Sequence, residues 1–373
     1  MTWPTVVINQ LNEYAGTTTE IERVLLYLGT GATNVGQLIP VNNNSDLDTL
    51  LGEPDSILKS NVAAARSNGG QSWFGYVWPL AANATTADWV AAVKAAMATA
   101  SVEGFVLVKD IDQETDINAA ITLRSDIIGS HGRWLWSILS VGGPGEEETW
   151  AEYVTRFAAL QDGIAGISVQ LVPRLWGNEP GALAGRLCNR AVTIADSPAR
   201  VKTGAVVSLG TDELPTDSED APLTLATLQA LAANRASVPM WYPDYDGIYW
   251  ADGLTLDVDG GDYQAIEYVR IADKVARRTR LRAIPKIADR SLNSTAASVE
   301  FHQTYFAATL REMAKRTQIN GITFPGEVKT PQNGDVVITW ISSTKVQVYI
   351  VARPYESPKT IEINILLDTS LTE

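Results

Sequence analysis

The segment from Gly29 to Gly36 carries the residues most suggestive of ligand chemistry. It reads Gly-Thr-Gly-Ala-Thr-Asn-Val-Gly and follows a predicted strand, so it superficially resembles the glycine-rich turn that binds a dinucleotide. Its third glycine does not fall at the G-x-G-x-x-G position, and the asparagines at 42–44 supply no acidic group for a ribose. We therefore interpret the segment as a glycine-bearing loop and expect no cofactor.

Two acidic segments could also carry chemistry. The aspartates of the stretch from Asp257 to Asp262 suggest calcium, but the stretch lacks the bidentate glutamate of a helix–loop–helix site. Asp244 and Asp246 could act as an acid–base pair. Their Tyr-Pro-Asp-Tyr-Asp-Gly setting is more typical of a turn. We interpret both segments as turns, the first of them capping the helix that follows.

The sequence offers little material for nucleophilic or metal catalysis. Ser168 and Ser208 have no histidine signature nearby, and no G-x-S-x-G motif occurs. The chain has two histidines, His131 and His302, and one cysteine, Cys188. These numbers weigh against a histidine metal cluster and exclude a disulfide framework. We predict that the protein is not an enzyme and holds no metal.

Length and composition narrow the class of protein. The chain has 373 residues, which favours about two domains. A hydrophobic content of 45% and a charged content of 19% are typical of a globular protein. The net charge of −14 argues against nucleic-acid binding. No apolar run approaches the roughly 20 residues of a membrane span, and no secretory signal follows Met1, so we expect no membrane insertion.

Positive charge is concentrated in one segment of this acidic chain. Residues 264–316 contain eleven basic and five acidic residues, so the segment carries +6 and the remainder −20. Such asymmetry suggests a face that meets an acidic partner. A solvated helix face with scattered charges is an equally simple interpretation, and composition alone leaves both open.

Strand-like and helical segments alternate along the first half of the chain. Apolar or β-branched runs are predicted as strands, beginning with Thr5 to Leu11 and Arg23 to Gly29. Helices are predicted from apolar spacing, with Ser45 as the cap of a helix near Leu47. The alternation predicts a layered α/β sheet. Further predicted strands cover 73–78, 104–108, 134–139 and 167–172, and further predicted helices cover 56–67, 87–98, 117–128 and 150–159.

The last third of the sequence has a different pattern of predicted helices and strands. Ile266, Val269, Ala272 and Ala276 lie on one face of a predicted amphipathic helix, and a second helix is predicted over about 297–315. The runs 335–340 and 345–351 are predicted to form a hairpin. Residues 360–367 alternate as a strand and end close to position 373.

Both ends of the sequence are therefore strand-like. Exposed terminal strands are an aggregation hazard that monomeric proteins usually cover or charge. One alternative is that the two ends pair within their own chain and close the hairpin sheet. The other is that each end adds to the sheet edge of a neighbour, in which case head-to-tail repetition gives a ring or a helical filament. The residues alone do not decide between these alternatives.

The C-terminal segments resemble those of contractile phage tail sheath proteins. The hairpin from Val336 to Val351, then Ala-Arg-Pro-Tyr-Glu, then the strand from Ile361 to Leu367, follows the order of that family's C-terminus. Asp262-Tyr263 leading into Tyr268 to Lys274 is similar to the family's sheath-core helix.

An upstream pattern adds to the resemblance. Asp46 to Gly52 followed by Ala64 to Gly70 is similar to the family's phenylalanine-glycine, helix, asparagine-glycine-glycine pattern, with Leu51 where phenylalanine is usual. The motifs run in order through nearly the whole chain. The chain is most similar to the compact sheath-like proteins of some Mu-type and transposable phages.

The resemblance implies a structural subunit of a contractile injection machine. Such a subunit polymerises, as a helical polymer or hexameric rings, around a tail tube protein and meets baseplate and tail terminator proteins. Contraction then drives the tube through the host envelope during genome ejection. The resemblance also implies location in the virion, after assembly in the bacterial host cytoplasm. The alternative interpretation is a soluble oligomeric α/β enzyme or small-molecule-binding protein.

The resemblance also assigns roles to residues. It implies strand exchange between subunits and a tube-facing basic surface, which would hold by weak, screened charge contacts. The implied donor strands contain Val6, Val7, Ile8, Leu11, Ile361, Ile363, Ile365 and Leu367. The implied acceptor hairpin contains Val336, Ile338, Val346, Val348 and Ile350. The candidates for contact with the tube are Arg270, Lys274, Arg277, Arg278, Arg280 and Arg282.

The expected fold is α/β (α+β). An outer layered α/β domain is expected over residues 21–245, and an inner C-terminal α+β domain with the hairpin over 246–355. Residues 1–20 and 356–373 are expected to be the N- and C-terminal donor arms, whose terminal strands are exchanged.

Overall fold

A computed structural model of the chain describes residues 21–53 and 55–367. The predicted donor strand with Val6, Val7, Ile8 and Leu11 lies outside the described residues. The predicted C-terminal donor segment is described through Leu367.

A mixed sheet of six strands organises the first part of the described chain. Its strands are β1 (Leu25–Thr30), β2 (Ile39–Asn42), β3 (Phe74–Leu80), β4 (Gly104–Ile111), β5 (Trp136–Gly142) and β6 (Val169–Arg174). They lie in the order β2-β3-β1-β4-β5-β6, with β2 antiparallel to β3 and the other neighbours parallel. Since parallel strands are usually covered on both faces, they consist of nearly continuous apolar residues. The predicted layered α/β architecture is confirmed.

Six helices accompany this sheet within the described residues. They are α1 (Leu47–Leu51), α2 (Ile57–Gly69), α3 (Thr86–Thr99), α4 (Glu114–His131), α5 (Trp150–Leu160) and α6 (Glu179–Cys188). The predicted cap of α1 is wrong by one residue. Asp46, not Ser45, accepts hydrogen bonds from the backbone N–H groups of Asp48 and Thr49.

Helix α6 was not predicted from the sequence, because its Glu-Pro-Gly-Ala-Leu-Ala-Gly run contains residues that usually break helices. The two glycines have a packing role instead. A Cβ atom at Gly181 would overlap the carbonyl oxygen of Asn61, and one at Gly185 would overlap that of Ala65. The glycines therefore let α6 pack directly against the backbone of α2.

The chain then forms α7 (Leu225–Ala233) and a hairpin of β7 (Pro239–Tyr242) and β8 (Tyr245–Trp250). Asp244 has a positive φ of 62° in the hairpin turn, a conformation that aspartate tolerates better than most residues. The turn predicted around Asp244 and Asp246 thus lies slightly earlier, at residues 243–244, and β8 already begins at Tyr245.

The C-terminal part consists of two long helices and short antiparallel ribbons. Its elements are α8 (Ile266–Ala283), α9 (Ala296–Met313), β9 (Thr317–Ile319), β10 (Ile322–Phe324), β11 (Val336–Ser342) and β12 (Lys345–Ile350). Helix α8 joins the two parts, because Ile266 and Val269 pack in the core of the sheet domain while Ile271 and Val275 pack in the C-terminal core. The predicted helices and the predicted β11–β12 hairpin are confirmed.

Candidate assembly interface

The β11–β12 hairpin has one covered face and one open face. Side chains alternate across a strand, and Val336 and Ile338 are buried against Phe306 of α9. The five predicted acceptor residues, Val336, Ile338, Val346, Val348 and Ile350, all belong to this inner cluster. On the opposite face Val337, Ile341 and Tyr349 are exposed.

Both outer edges of this hairpin are unpaired. Within the described residues β11 and β12 pair only with each other, as a two-stranded sheet. A two-stranded ribbon is marginal in water, and its free edges present unused backbone N–H and C=O groups. The hairpin therefore has capacity for one further strand on each side.

A groove lies beside each strand of the hairpin. The first groove, about 690 Å³, runs along α8 and β12 and is lined by Tyr268, Ile271, Val275, Val348 and Ile350 among others. The second groove, about 570 Å³, runs along α9 beside the start of β11 and includes Val299, Ala307 and Val336. Each groove is open to solvent and has apolar side chains in its floor.

The predicted C-terminal donor segment is extended away from the chain's own sheets. Residues 360–367 form no ladder hydrogen bonds with the described residues. Five aliphatic side chains in this segment are 75–95% exposed: Ile361, Ile363, Ile365, Leu366 and Leu367. The strand predicted here is not formed, because a strand needs a neighbouring edge and the segment pairs with no edge in the described part of its own chain.

The beginning of the basic segment is buried, contrary to expectation. Arg270 is 1% exposed, and its guanidinium donates to Glu103 from Nε at 2.7 Å and from Nη2 at 2.9 Å. Lys274 is also buried, with its ammonium 2.7 Å from carboxylate oxygens of both Glu22 and Glu327. The prediction that Arg270 and Lys274 face a tube is therefore wrong, since both cations neutralise carboxylates inside this chain.

The rest of the basic segment lies nearer the surface. Arg277, Arg278 and Arg282 are half-buried and Arg280 is exposed. Arg282 donates to Glu312 at 2.7 Å and lies over the ring of Tyr305, at 5.7 Å from its centroid. Arg280 and Arg282 thus reach the surface, whereas the terminal guanidinium nitrogens of Arg277 are buried.

Exposed apolar side chains accompany these cations, a feature that sequence reasoning missed. Ile287 is 76% exposed, and Leu281, Ile284 and Phe301 are also exposed. We define the connector patch as Arg280, Leu281, Ile284, Lys286, Ile287, Arg290 and Phe301. The sequence feature that could have predicted this patch is the Ala-Ile-Pro-Lys-Ile run, because its apolar residues do not continue the apolar face of a helix.

The residues considered first for ligand chemistry have structural roles. Gly31 N–H donates to Leu80 O at 3.1 Å and Gly36 N–H to Pro79 O at 2.9 Å, so these loop amides are already used. Asp257 is buried and accepts from the N–H groups of Val258 and Tyr263 at 2.9 and 2.8 Å. It therefore holds together the turn that precedes α8.

The side chains of Cys188 and His302 are also buried. Burial raises the pKa of Cys188 to about 12, so its thiol stays protonated. His302 is 1% exposed, and its Nδ1 lies 2.8 Å from Ser298 O. Within the described ranges, no cluster of three histidine, cysteine or acidic side chains has a metal-binding arrangement, and no helix is long and apolar enough to span a membrane.

Comparison with known proteins identifies the family. Models described as the N-terminal and C-terminal domains of DUF2586 match residues 3–254 and 262–370. A protein of Haemophilus phage HP1 (strain HP1c1), named as a tail sheath protein, is 50% identical over 371 residues, covering 98% of each chain. This chain belongs to the tail sheath family.

Solved structures show the fold of this sheath family member. The sheath complex of an extracellular contractile injection system, PVC, in the contracted state has a TM-score of 0.63 at 16% identity, covering 99% of this chain and 98% of that chain. The contracted helical sheath of the anti-feeding prophage has a TM-score of 0.59 at 14% identity, covering 99% and 100%. The recognition of a tail sheath protein from sequence motifs is confirmed.

Proposed function

We propose that this protein is a structural subunit of a contractile tail sheath, linked to its neighbours by strand exchange. The observation that carries the proposal is the juxtaposition of an exposed, alternating C-terminal segment with a hairpin that has two unpaired edges. In a single chain the segment has no partner strand and the hairpin edges are unpaired. Association with neighbouring copies pairs the segment of one chain with the hairpin edge of another. Membership of the tail sheath family supplies the kind of assembly.

The C-terminal segment has the dimensions of the missing strand. Residues 361–367 extend over about 23 Å at roughly 3.3 Å per residue, and β12 extends over about 20 Å on the same basis. Ile361, Ile363, Ile365 and Leu367 share one face, because successive side chains alternate. In a neighbour's groove this face continues the inner apolar face of the hairpin.

The free-energy terms favour association of many copies over a single contact. Burial of four aliphatic side chains contributes roughly 6–12 kcal/mol, and each ladder hydrogen bond adds about 0.5–1.5 kcal/mol. Ordering seven residues costs about 1–2 kcal/mol per residue, a sum of similar size. A lone donated strand is therefore weak, whereas repeated subunits that each donate and accept strands form a stable polymer.

The N-terminal segment is the candidate for the second free edge. Val6, Val7, Ile8 and Leu11 form a β-branched and aliphatic run that fits an edge-adding strand. With one donor from each end, the hairpin becomes the centre of a four-stranded sheet built from several copies. Chains joined in this way stay connected while rigid subunits repack during contraction. The stored energy comes from assembly, so no nucleotide is required.

Formation of a polymer is the direct test of this function. Negative-stain images of the purified full chain are expected to contain tubes or rings, because each copy can donate and accept strands. Co-expression with the tail tube protein of the same phage is expected to lengthen and order these tubes. A discrete small oligomer under both conditions would contradict the proposal and favour the soluble enzyme or binding protein.

We assign the connector patch as the surface that contacts the tail tube. Residues 277–290 carry six basic side chains and one acidic side chain in a chain of net charge −14. The exposed apolar groups Leu281, Ile284, Ile287 and Phe301 provide contact area that charge alone does not. Screened charges beside a modest apolar area suit a contact that must release during contraction.

Charge reversal in the connector patch is expected to weaken tube binding. The double variant Arg280→Glu/Arg290→Glu should bind the tube at least about tenfold less tightly at low salt, because two attractive charges become repulsive. Co-sedimentation with preassembled tubes over a range of salt concentrations measures this loss. The matched control is Lys315→Glu/Arg316→Glu, which reverses two exposed charges outside the patch. Equal loss in both variants would refute the assignment.

The remaining partners follow from the same role. A sheath that polymerises from one end of a tail must meet a baseplate, and its other end must meet a terminator. The protein is accordingly a component of the virion that assembles in the host cytoplasm. In keeping with a non-enzymatic role, the described polar groups at the glycine loop and at Asp257 are already bonded within the chain.

A further inference from the structure

The C-terminal arm is held against its own chain before it becomes free. After β12, Val351 N–H donates to Asp335 O at 2.8 Å, and Lys329 N–H donates to Arg353 O at 2.7 Å. Pro354 forms an isolated bridge with Val328. We call residues 351–359 the strap. It borders the groove along α8 and ends at Lys359.

The strap ends in an ion pair with two carboxylates. The Lys359 ammonium lies 2.6 Å from Asp252 Oδ2 and 3.0 Å from Glu267 Oε1. Asp252 follows β8 of the sheet domain, and Glu267 lies in the first turn of α8. One side chain thus ties the arm to the junction between the sheet domain and the C-terminal helices.

Both carboxylates are well positioned for this contact. Glu267 is 2% exposed, and its described contacts include no cation other than Lys359. Asp252 is fixed by its own neighbours, since Gly253 N–H donates to Oδ1 at 2.7 Å and Ser237 Oγ donates to its backbone carbonyl at 2.9 Å. Burial raises the pKa of Glu267, and the nearby ammonium opposes that shift. The ammonium of Lys359 therefore lies between a carboxylate fixed by its neighbours and a buried carboxylate.

Lys359 carries ion pairs to the rest of the chain within the exposed stretch 355–360. Lys359 is held between two acids, whereas two residues later the Ile361 side chain is 75% exposed. We propose that Lys359 is a positioning residue for strand exchange, a latch that sets where the donated strand leaves the subunit and in which direction. The inference rests on the proposed sheath function and concerns a residue whose described ion pairs lie within its own chain.

Fixing the strap before docking lowers the conformational entropy that is lost when the C-terminal strand docks. If the latch opens, the residues between the Pro354 bridge and position 360 also become free, and each must be ordered again when the strand docks. The conformational entropy lost when these residues are ordered again lowers the equilibrium constant for docking at least about tenfold. The latch therefore acts on assembly through contacts within one subunit.

The test compares the assembly of full-length variants. Lys359→Met keeps the aliphatic stem and removes the ammonium, and we expect its critical concentration for polymer formation, measured by sedimentation, to rise at least about tenfold. In the monomer, chymotrypsin should cleave near Tyr355 faster than in wild type. Lys359→Arg should assemble like wild type because it retains the charge. Lys329→Met is the matched control, since it breaks the exposed pair with Glu356 on the same strap.

A second variant separates positioning from charge neutralisation. Lys359→Met leaves Glu267 buried without its cation, which by itself can destabilise the fold. Lys359→Met/Glu267→Gln removes that buried charge, and we expect it to fold stably, by circular dichroism and urea unfolding, yet still to assemble poorly. Recovery of wild-type assembly in this double variant would overturn the inference, as would wild-type assembly of Lys359→Met alone.

The result is distinguishable from failure of the proposed function. If wild-type protein forms no polymer, the sheath proposal fails whatever Lys359 does. If wild type polymerises, a chain lacking residues 360–373 does not, and Lys359→Met equals wild type, the sheath proposal stands and the latch is refuted.

Discussion

Removal of residues 360–373 is expected to abolish polymer formation while leaving the monomer as stable as the wild-type monomer. The deletion removes the exposed donor face of Ile361, Ile363, Ile365 and Leu367, and these side chains contribute nothing to the described core. It retains Lys359, so the latch at Asp252 and Glu267 is intact. Negative-stain imaging measures assembly, and urea unfolding measures monomer stability.

Point variants refine this expectation. Ile363→Lys introduces a charge on the donated apolar face and should reduce assembly as strongly as the deletion. Glu362→Gln changes the opposite face of the same strand and should have little effect, because side chains alternate. Deletion of residues 1–12 is likewise expected to block assembly. If the C-terminal deletion unfolds the monomer, the arm belongs to its own chain's core and strand exchange from this end is wrong.

The second large effect concerns the buried pair Glu103–Arg270. Glu103→Gln is expected to lower the free energy of unfolding by about 3–5 kcal/mol, because it leaves the Arg270 guanidinium buried without its counter-charge. Both side chains are at most 2% exposed, and Glu103 also accepts from Arg23 N–H at 2.6 Å. Arg270 is enclosed further by the ring of Trp136, whose centroid lies 5.7 Å from Cζ. Urea unfolding of the monomer measures the change.

Two controls define what that result means. Asp126→Asn removes the exposed pair with Lys94 and should change stability by less than about 1 kcal/mol. Glu103→Gln/Arg270→Met removes both charges and should recover part of the loss. A small effect of Glu103→Gln would show that water reaches Arg270 in solution.

The Glu103–Arg270 pair also makes the free energy of unfolding depend on pH under acidic conditions. Burial alone would raise the pKa of Glu103, but the charge and hydrogen bonds of Arg270 outweigh it and lower the pKa from 4.5 to about 2. A carboxyl whose folded pKa is depressed contributes stability that is full above the unfolded value and lost as the pH falls through the folded value. The free energy of unfolding should therefore fall between about pH 4.5 and 2 with a slope that Glu103→Gln removes.

The local sequence pattern predicted most of the helices and strands correctly, but it did not predict which of their side chains are buried or paired. The alternation in β11 and β12 and the apolar spacing of α8 predicted those elements correctly, because period and propensity are local properties. Helix α6 was missed, since Gly181 and Gly185 are explained only by close contact with α2, far away in sequence. The same limitation applies to Arg270 and Lys274, which lie on the side of α8 that meets Glu103, Glu22 and Glu327.

From the sequence alone came the kind of protein: an α/β layer, a helical and hairpin C-terminal part, strand-like ends, and motifs of the tail sheath family in order. Tertiary structure decided which cations are buried, which apolar residues form the connector patch, and where the C-terminal arm becomes free of its own chain. The physical reason is that periodicity is encoded within one turn or one strand, whereas burial depends on the partners that folding brings together. Lys359 illustrates the difference, because its two acidic partners lie 107 and 92 residues away along the chain.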